Sequence, residues 1–186
     1  AFKVVHVAGL PATDDAARYD RADLKATVRG WVVEGRFVTD GSIGVNEVVS
    51  LVTDRTNFYA ASGGQVGDAG KITTDTGVFA VHDTQYNGAC VLHIGQVERG
   101  TIAAGQAATL SVDPSRLDTM RNHTTTHLLN WALRKVLGGH VDQKGSLVDP
   151  DRLRFDFANP KAVTGEQLAE VERLVNEQIL ADRAVG

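Results

Sequence analysis

Asp113-Pro114-Ser115-Arg116-Leu117-Asp118-Thr119-Met120-Arg121-Asn122-His123-Thr124-Thr125-Thr126-His127-Leu128-Leu129 marks the point where the chain changes texture. Pro114 suits the first turn of a helix, where a missing N–H is tolerated, and Asp113 suits the cap before it. Leu117, Met120, Thr124, Leu128, Trp131 and Val136 then recur at helical spacing, and Gly138-Gly139 supplies a stop. The spacing predicts a helix over 117–137 that carries both histidines. His123 and His127 are four apart, so a helix puts both imidazoles on one face. Two neutral imidazoles so placed are half of a zinc site. A metalloprotease needs Glu directly after the first His as general base; Thr124 stands there, which disfavours that chemistry. A His pair at this spacing is also often only a polar patch, and two ligands never complete a zinc site.

Upstream of this point the pattern is strand after strand. Ala26, Val28, Gly30 and Val32 alternate with Thr27, Arg29, Trp31 and Val33, a period near two. Glu47 to Thr53, Val78 to Val81, Ala89 to Val97 and Ala107 to Val112 repeat the type. Asp40-Gly41, Asp75-Thr76-Gly77 and Asn87-Gly88 break the runs, and the last pair is a hairpin signal because both residues tolerate positive φ. Many short strands at close spacing predict a small barrel or a strongly bent sheet. The strand Cys90-Val91-Leu92-His93 directs Cys90 and His93 to opposite faces, so Cys90 reads as a buried structural residue rather than a metal ligand.

Downstream, Gly145-Ser146-Leu147-Val148 and the alternating Arg152-Leu153-Arg154-Phe155-Asp156-Phe157 flank Asp149-Pro150-Asp151, the pattern of a hairpin. Thr164 with Gln167 forms a capping box for a last helix, with Leu168, Val171, Leu174, Val175 and Ile179 as its buried stripe. The expected architecture is α+β: a barrel-like β domain over 1–112, then an α+β core over 113–186 built around the His-bearing helix. His140 follows Gly138-Gly139 in the connection to a strand, which makes it a weak candidate ligand. His6, His82 and His93 have no supporting context.

Composition narrows the function. Acidic residues outnumber basic ones, 23 to 19, for a net charge of −4 over 186 residues. That is no footprint for strong non-specific nucleic-acid binding. A lone cysteine excludes an internal disulfide framework and fits a reducing compartment, so the expected location is cytoplasmic. No apolar run approaches a membrane span.

A second constellation lies between strands: Asn57-Phe58-Tyr59-Ala60-Ala61-Ser62-Gly63-Gly64-Gln65-Val66-Gly67-Asp68. Paired glycines allow positive φ and close approach of a ligand, and Gln65 offers a donor and an acceptor at the tip. A bare Gly-Gly-Gln is also simply a glycine-rich hairpin. Class-I peptide release factors carry the same tripeptide in a basic, mobile loop, whereas this chain is acidic and its flanks differ.

Together, the segments Phe58-Tyr59 through Asp68, Asn122-His123 through Leu129, Gln143-Lys144-Gly145-Ser146-Leu147-Val148 and Leu153-Arg154-Phe155-Asp156-Phe157 resemble the editing domain of alanyl-tRNA synthetase and its free-standing relatives. Threonyl-tRNA synthetases carry a related His-x-x-x-His fold, but the Gly-Gly-Gln and Gln-Lys-Gly-Ser segments favour the alanyl branch. The resemblance implies a β-barrel followed by an α+β editing core. It implies that His123 and His127 are the first two zinc ligands and that Gln65 is a catalytic polar group near the scissile ester. It also implies that Gly63, Gly64 and Thr126 bind substrate, and that Asn122 and Thr126 support the metal ligands. Two departures stand out. Ala61 occupies a position where the family usually has Glu. The family completes its zinc site with a later Cys-x-x-x-His, and this sequence reaches Gly186 without one.

The implied activity is hydrolysis of serine or glycine esterified to the alanine tRNA. The expected partners are the acceptor end of that tRNA and the remaining domains of an ATP-binding synthetase, with no membrane. Zinc is expected in the longer parent and weak or missing in this piece, whose own activity is then expected to be low. Zinc would either activate water or hold the substrate. The alternatives are a free-standing deacylase with a divergent metal site and a non-catalytic tRNA-docking module.

Overall fold

The computed structural model describes residues 7–182, so His6 lies outside the described residues. The chain divides into two compact units. The first runs up to Ser62 and resumes over Val66–Arg116; the second joins Gly63–Gln65 to everything from Leu117 onward.

The first unit is all β: β1 (Leu24–Val33), β2 (Arg36–Val38), β3 (Ser42–Ile43), β4 (Val48–Thr53), β5 (Gly70–Thr74), β6 (Gly77–Asn87), β7 (Cys90–Gly100), β8 (Ile102–Ala103) and β9 (Ala107–Val112). Six strands pair antiparallel in the order β1-β4-β7-β6-β5-β9, and β9 returns to β1. That closure removes both sheet edges, the physical advantage of a barrel over an open sheet. β1 serves two neighbours on one side: Leu24–Thr27 pair with β9, and Trp31–Val33 with β2. Val28, Leu51, Phe58, Ile72, Phe79, Val97 and Leu110 are fully buried inside.

The simple alternation read along β1 fails at Gly30. A bulge between Val28 and Gly30 shifts the register, so Trp31 enters the core and Val32 joins the cluster on the opposite face. Gly30 has φ of 146°, and a Cβ there would stand 2.2 Å from the Val38 carbonyl oxygen, so the bulge requires glycine. The β6–β7 hairpin is also one residue out of the expected register. Asn87 pairs with Cys90, which leaves Gly88 and Ala89 as the turn, with φ of 61° at Gly88. Glycine at the first central position is the type II′ arrangement.

Along β7, Cys90, Leu92 and Ile94 face a small cluster with Val52, while His93 turns inward against Phe58. The imidazole of His93 is fully buried, 2.8 Å from Thr56 Oγ1 and 3.1 Å from the Leu51 carbonyl. Burial pushes its pKa down to about 4. Arg116 closes the same unit. Its guanidinium donates to the carbonyls of Arg18, Asp20 and Asn57 and to the Asp68 carboxylate. Asp68 also accepts the Tyr59 N–H and donates its own N–H to the Tyr59 carbonyl, pinching the base of the loop between them. Burial raises the Asp68 carboxyl more than Arg116 and the Tyr59 N–H lower it.

The second unit contains α1 (Arg116–Leu137, whose first residue belongs to the first unit), β10 (Gln143–Val148), β11 (Leu153–Phe157) and α2 (Gly165–Leu180). α1 starts two residues later than the Asp113 cap predicts: Asp113 Oδ1 accepts the Ser115 N–H at 2.8 Å and its carbonyl accepts the Arg116 N–H, a turn over Pro114 and Ser115 that leads into the helix at Arg116. It stops at Gly138, where φ is 116°. β10 and β11 form a hairpin with Val148 opposite Leu153, and Asp149 Oδ1 accepts the N–H of both Asp151 and Arg152 across the turn. The capping box of Thr164 and Gln167 is present in both directions. Ala132, Leu133, Val141, Val171 and Val175 make the core, with Leu128, Trp131, Phe155 and Phe157 packed around it. The helix stripes are shorter than expected. Met120 is 41% exposed, Leu168 54% and Ile179 50%, because the core gathers the C-terminal half of α1 and the middle of α2.

Candidate functional site

The site belongs to the second unit and begins with a backbone attachment. Gly63 and Gly64 have φ of 60° and 86°. The Gly64 carbonyl accepts the Val148 N–H at 2.8 Å, and Gln65 makes a parallel bridge with Val148. The tip 63–65 therefore lies along β10 like a fragment of a third strand. A Cβ on Gly64 would stand 2.3 Å from Ser146 Oγ and 2.6 Å from the Ser146 carbonyl oxygen. Gly64 is thus needed for the approach of β10, whereas Gly63 has open space around it. The Ser146 hydroxyl donates to the Gly63 carbonyl at 3.4 Å. Ser146 is the residue whose part the sequence hid, since it acts on a glycine 83 positions away.

This attachment aims Gln65 at α1. The Gln65 side chain is buried, and its Oε1 lies 2.5 Å from His123 Nδ1. The rings of His123 and His127 stack, with centroids 5.1 Å apart and planes 23° apart, as helical spacing requires. Partial burial first, and then the neighbouring His127 charge, hold His123 below its ordinary pKa. His123 is therefore biased toward the neutral form, which has a lone pair to give a proton or a metal ion.

The neighbouring residues take other parts. Asn122 Nδ2 donates to the carbonyls of Asp149 at 2.9 Å and Pro150 at 3.3 Å, tying α1 to the hairpin turn rather than to the imidazoles. Thr124, Thr125 and Thr126 each turn the hydroxyl back to the carbonyl four residues earlier. Thr126 is buried, and its hydroxyl proton is engaged by Asn122. His140 is exposed and bonds Asn159 Oδ1 at 2.8 Å. The cations of the hairpin all have acidic partners: Lys144 with Asp142 at 3.9 Å, Arg152 with Asp149 at 3.6 Å, and Arg154 with Asp156 at 3.0 Å.

Among the described residues no group of three or more His, Cys, Asp or Glu side chains could hold a metal ion. His123 and His127 alone do not satisfy zinc, which takes at least three protein donors in catalytic sites and four in structural ones. What the described residues do assemble is a polar amide against a stacked imidazole pair, a set able to position water or polarise a carbonyl. No helix among the described residues is long and apolar enough to cross a membrane.

Comparison with known proteins places this geometry in context. The model of the family described as tRNA synthetases class II (A) matches residues 2–116. The chain is 46% identical to the alanine–tRNA ligase of Sinorhizobium medicae over 173 residues, covering 92% of this chain and 19% of that protein. It is 49% identical to the alanine–tRNA ligase of Paracoccus denitrificans over 162 residues, covering 87% of this chain and 18% of that one. The enzyme of the same name from Aromatoleum aromaticum is 47% identical over 89% of this chain. The chain spans about a fifth of the length of these curated relatives.

Proposed function

The chain belongs to the class II (A) tRNA synthetase family, and from that premise we propose that it is the editing region of an alanine-specific synthetase. Its reaction is hydrolysis of the ester that joins serine or glycine to the terminal adenosine of the alanine tRNA. The observation that carries the reading is the meeting of Gln65 with His123, beside His127, in one unit. Neither a plain glycine-rich hairpin nor a solvated histidine patch accounts for a buried glutamine held on an imidazole.

The physical need for such a site is clear. A pocket shaped for alanine cannot strongly exclude glycine by size, and serine adds one hydroxyl. Rejection of such analogues by fit alone is limited to ~1–3 kcal/mol, so a second, hydrolytic site supplies the remainder. Gln65 positions water or the ester carbonyl beside the imidazole pair. The acceptor end of the alanine tRNA and the rest of the synthetase are the proposed partners, and the cytoplasm is the proposed location. We also propose His123 and His127 as two ligands of a zinc ion in the longer protein, with the other donors supplied outside the described residues. No step of the hydrolysis is assigned to that ion.

The test is deacylation by a longer protein that includes this region, assayed on alanine tRNA charged with serine, glycine or alanine. Serine and glycine should be released and alanine spared. Gln65→Ala should slow release by on the order of a hundredfold, the usual cost of one preorganised donor. A wild-type protein that leaves both mischarged tRNAs intact would refute the reading and favour a docking role.

A further inference from the structure

The contact between Gln65 and His123 constrains where a proton sits. Oε1 of the amide, rather than its nitrogen, faces Nδ1 at 2.5 Å. An amide oxygen carries no hydrogen, so the proton of this bond belongs to Nδ1. A neutral imidazole has only one N–H, and the bond made at one nitrogen decides the state of the other. The amide is itself restrained. Its backbone is bridged to Val148, and the carbonyl of the preceding glycine accepts the Val148 N–H at 2.8 Å.

We propose that Gln65 is a positioning residue for His123: it holds the imidazole as the Nδ1–H tautomer, keeps the Nε2 lone pair free, and turns its own NH2 outward as a donor. The two ends of the couple then have opposite characters. Nε2 is a base or ligand, and the Gln65 NH2 is an electrophilic group for a carbonyl oxygen. The hydrogen bond between them fixes both orientations at once. An ester needs this combination, because its carbonyl oxygen gains charge as a water oxygen loses a proton. No bond is made or broken within the couple, and no proton leaves it. The assignment deepens the editing reading and rests on it only for the identity of the ester.

The experiment is long-range 1H–15N NMR of the imidazoles in this chain, at a pH where both are neutral, with His123→Asn used to assign the His123 signals. Nδ1 of His123 should show as the protonated nitrogen and Nε2 as the bare one. Gln65→Ala should abolish that state and let the Nε2–H form appear. Gln65→Asn, one methylene shorter, should behave like alanine. Gln65→Glu, which still presents an acceptor oxygen at the same reach, should keep Nδ1 protonated. Backbone amide spectra confirm that each variant is folded. An Nε2–H signal in the wild-type chain, or an Nδ1–H signal unchanged in Gln65→Ala, would overturn the assignment. The readout involves no substrate. A longer protein without deacylase activity would therefore sink the editing reading and leave the tautomer standing, and a wrong tautomer would do the reverse.

Discussion

Gln65 and His123 lie 58 residues apart in sequence and share a hydrogen bond of 2.5 Å. Two local devices make the meeting possible. One is the pair of left-handed glycines that bends the tip onto β10; the other is a helix that holds His123 at a set height along its axis.

The two glycines should differ in their response to substitution. Gly64→Ala forces a Cβ into the backbone of Ser146 at a φ of 86°. It should cost roughly 2–3 kcal/mol or detach the tip from β10. Gly63→Ala meets open space and has only the left-handed backbone to contend with, about 1 kcal/mol. Urea denaturation and the solvent exchange of the Val148 amide measure both. Equal effects at the two positions would show that Ser146 does not confine Gly64.

Removal of His127 should raise the pKa of His123. Burial and the neighbouring imidazole both act against the charged form of His123. His127→Asn takes away the second cause and leaves the first. An NMR titration should therefore place His123 higher in the variant than in the wild type, though still below the ordinary value of about 6.5. An unchanged midpoint would mean that burial alone sets it.

Acid should destabilise the barrel through His93. The folded pKa is lowered to about 4 by burial. The unfolded chain, with an ordinary value of about 6.5, binds a proton that the folded chain refuses. The stability tied to neutral His93 is thus fully present above pH 6.5 and is lost as pH falls from there toward 4. The loss is on the order of 3 kcal/mol by the lower limit. Stability measured against pH in wild type and His93→Gln should diverge over that window, with the variant flatter. Parallel curves would place the acid sensitivity elsewhere.

Arg116 should be among the least replaceable residues of the first unit. Arg116→Met keeps much of the volume but leaves the Asp68 carboxylate with the Tyr59 N–H alone and takes the guanidinium from three carbonyls. A broken buried pair costs about 3–5 kcal/mol because the remaining charge loses its counter-ion. The double variant with Asp68→Asn should recover part of that loss, since the stranded charge is then removed. Denaturant midpoints for the two singles and the double give the coupling.

Local chemistry carried much of this protein in its sequence. The helix bearing His123 and His127 follows from Asp113-Pro114 at one end, Gly138 at the other and helical spacing between. The last helix follows from Thr164 and Gln167, and the β10–β11 hairpin from alternation around Asp149-Pro150-Asp151. Each signal lies within a few contiguous residues, because caps, turns and periodic faces are properties of short segments. The tertiary structure decided what depends on distant partners. Closure of the barrel needs β1 to meet β9, and glycine is required at the bulge because the Val38 carbonyl leaves no room for a Cβ at position 30; neither is written in the alternation of β1 alone. His93 looked like an unremarkable strand residue until burial against Phe58 and Thr56 gave it a titration of its own. The Gly-Gly-Gln tripeptide is equally compatible with a ligand loop and a plain turn. Only the approach of Ser146 explains Gly64, and only the course of α1 brings His123 to Gln65, because side-chain convergence is set by packing between segments and not by the order of residues within one.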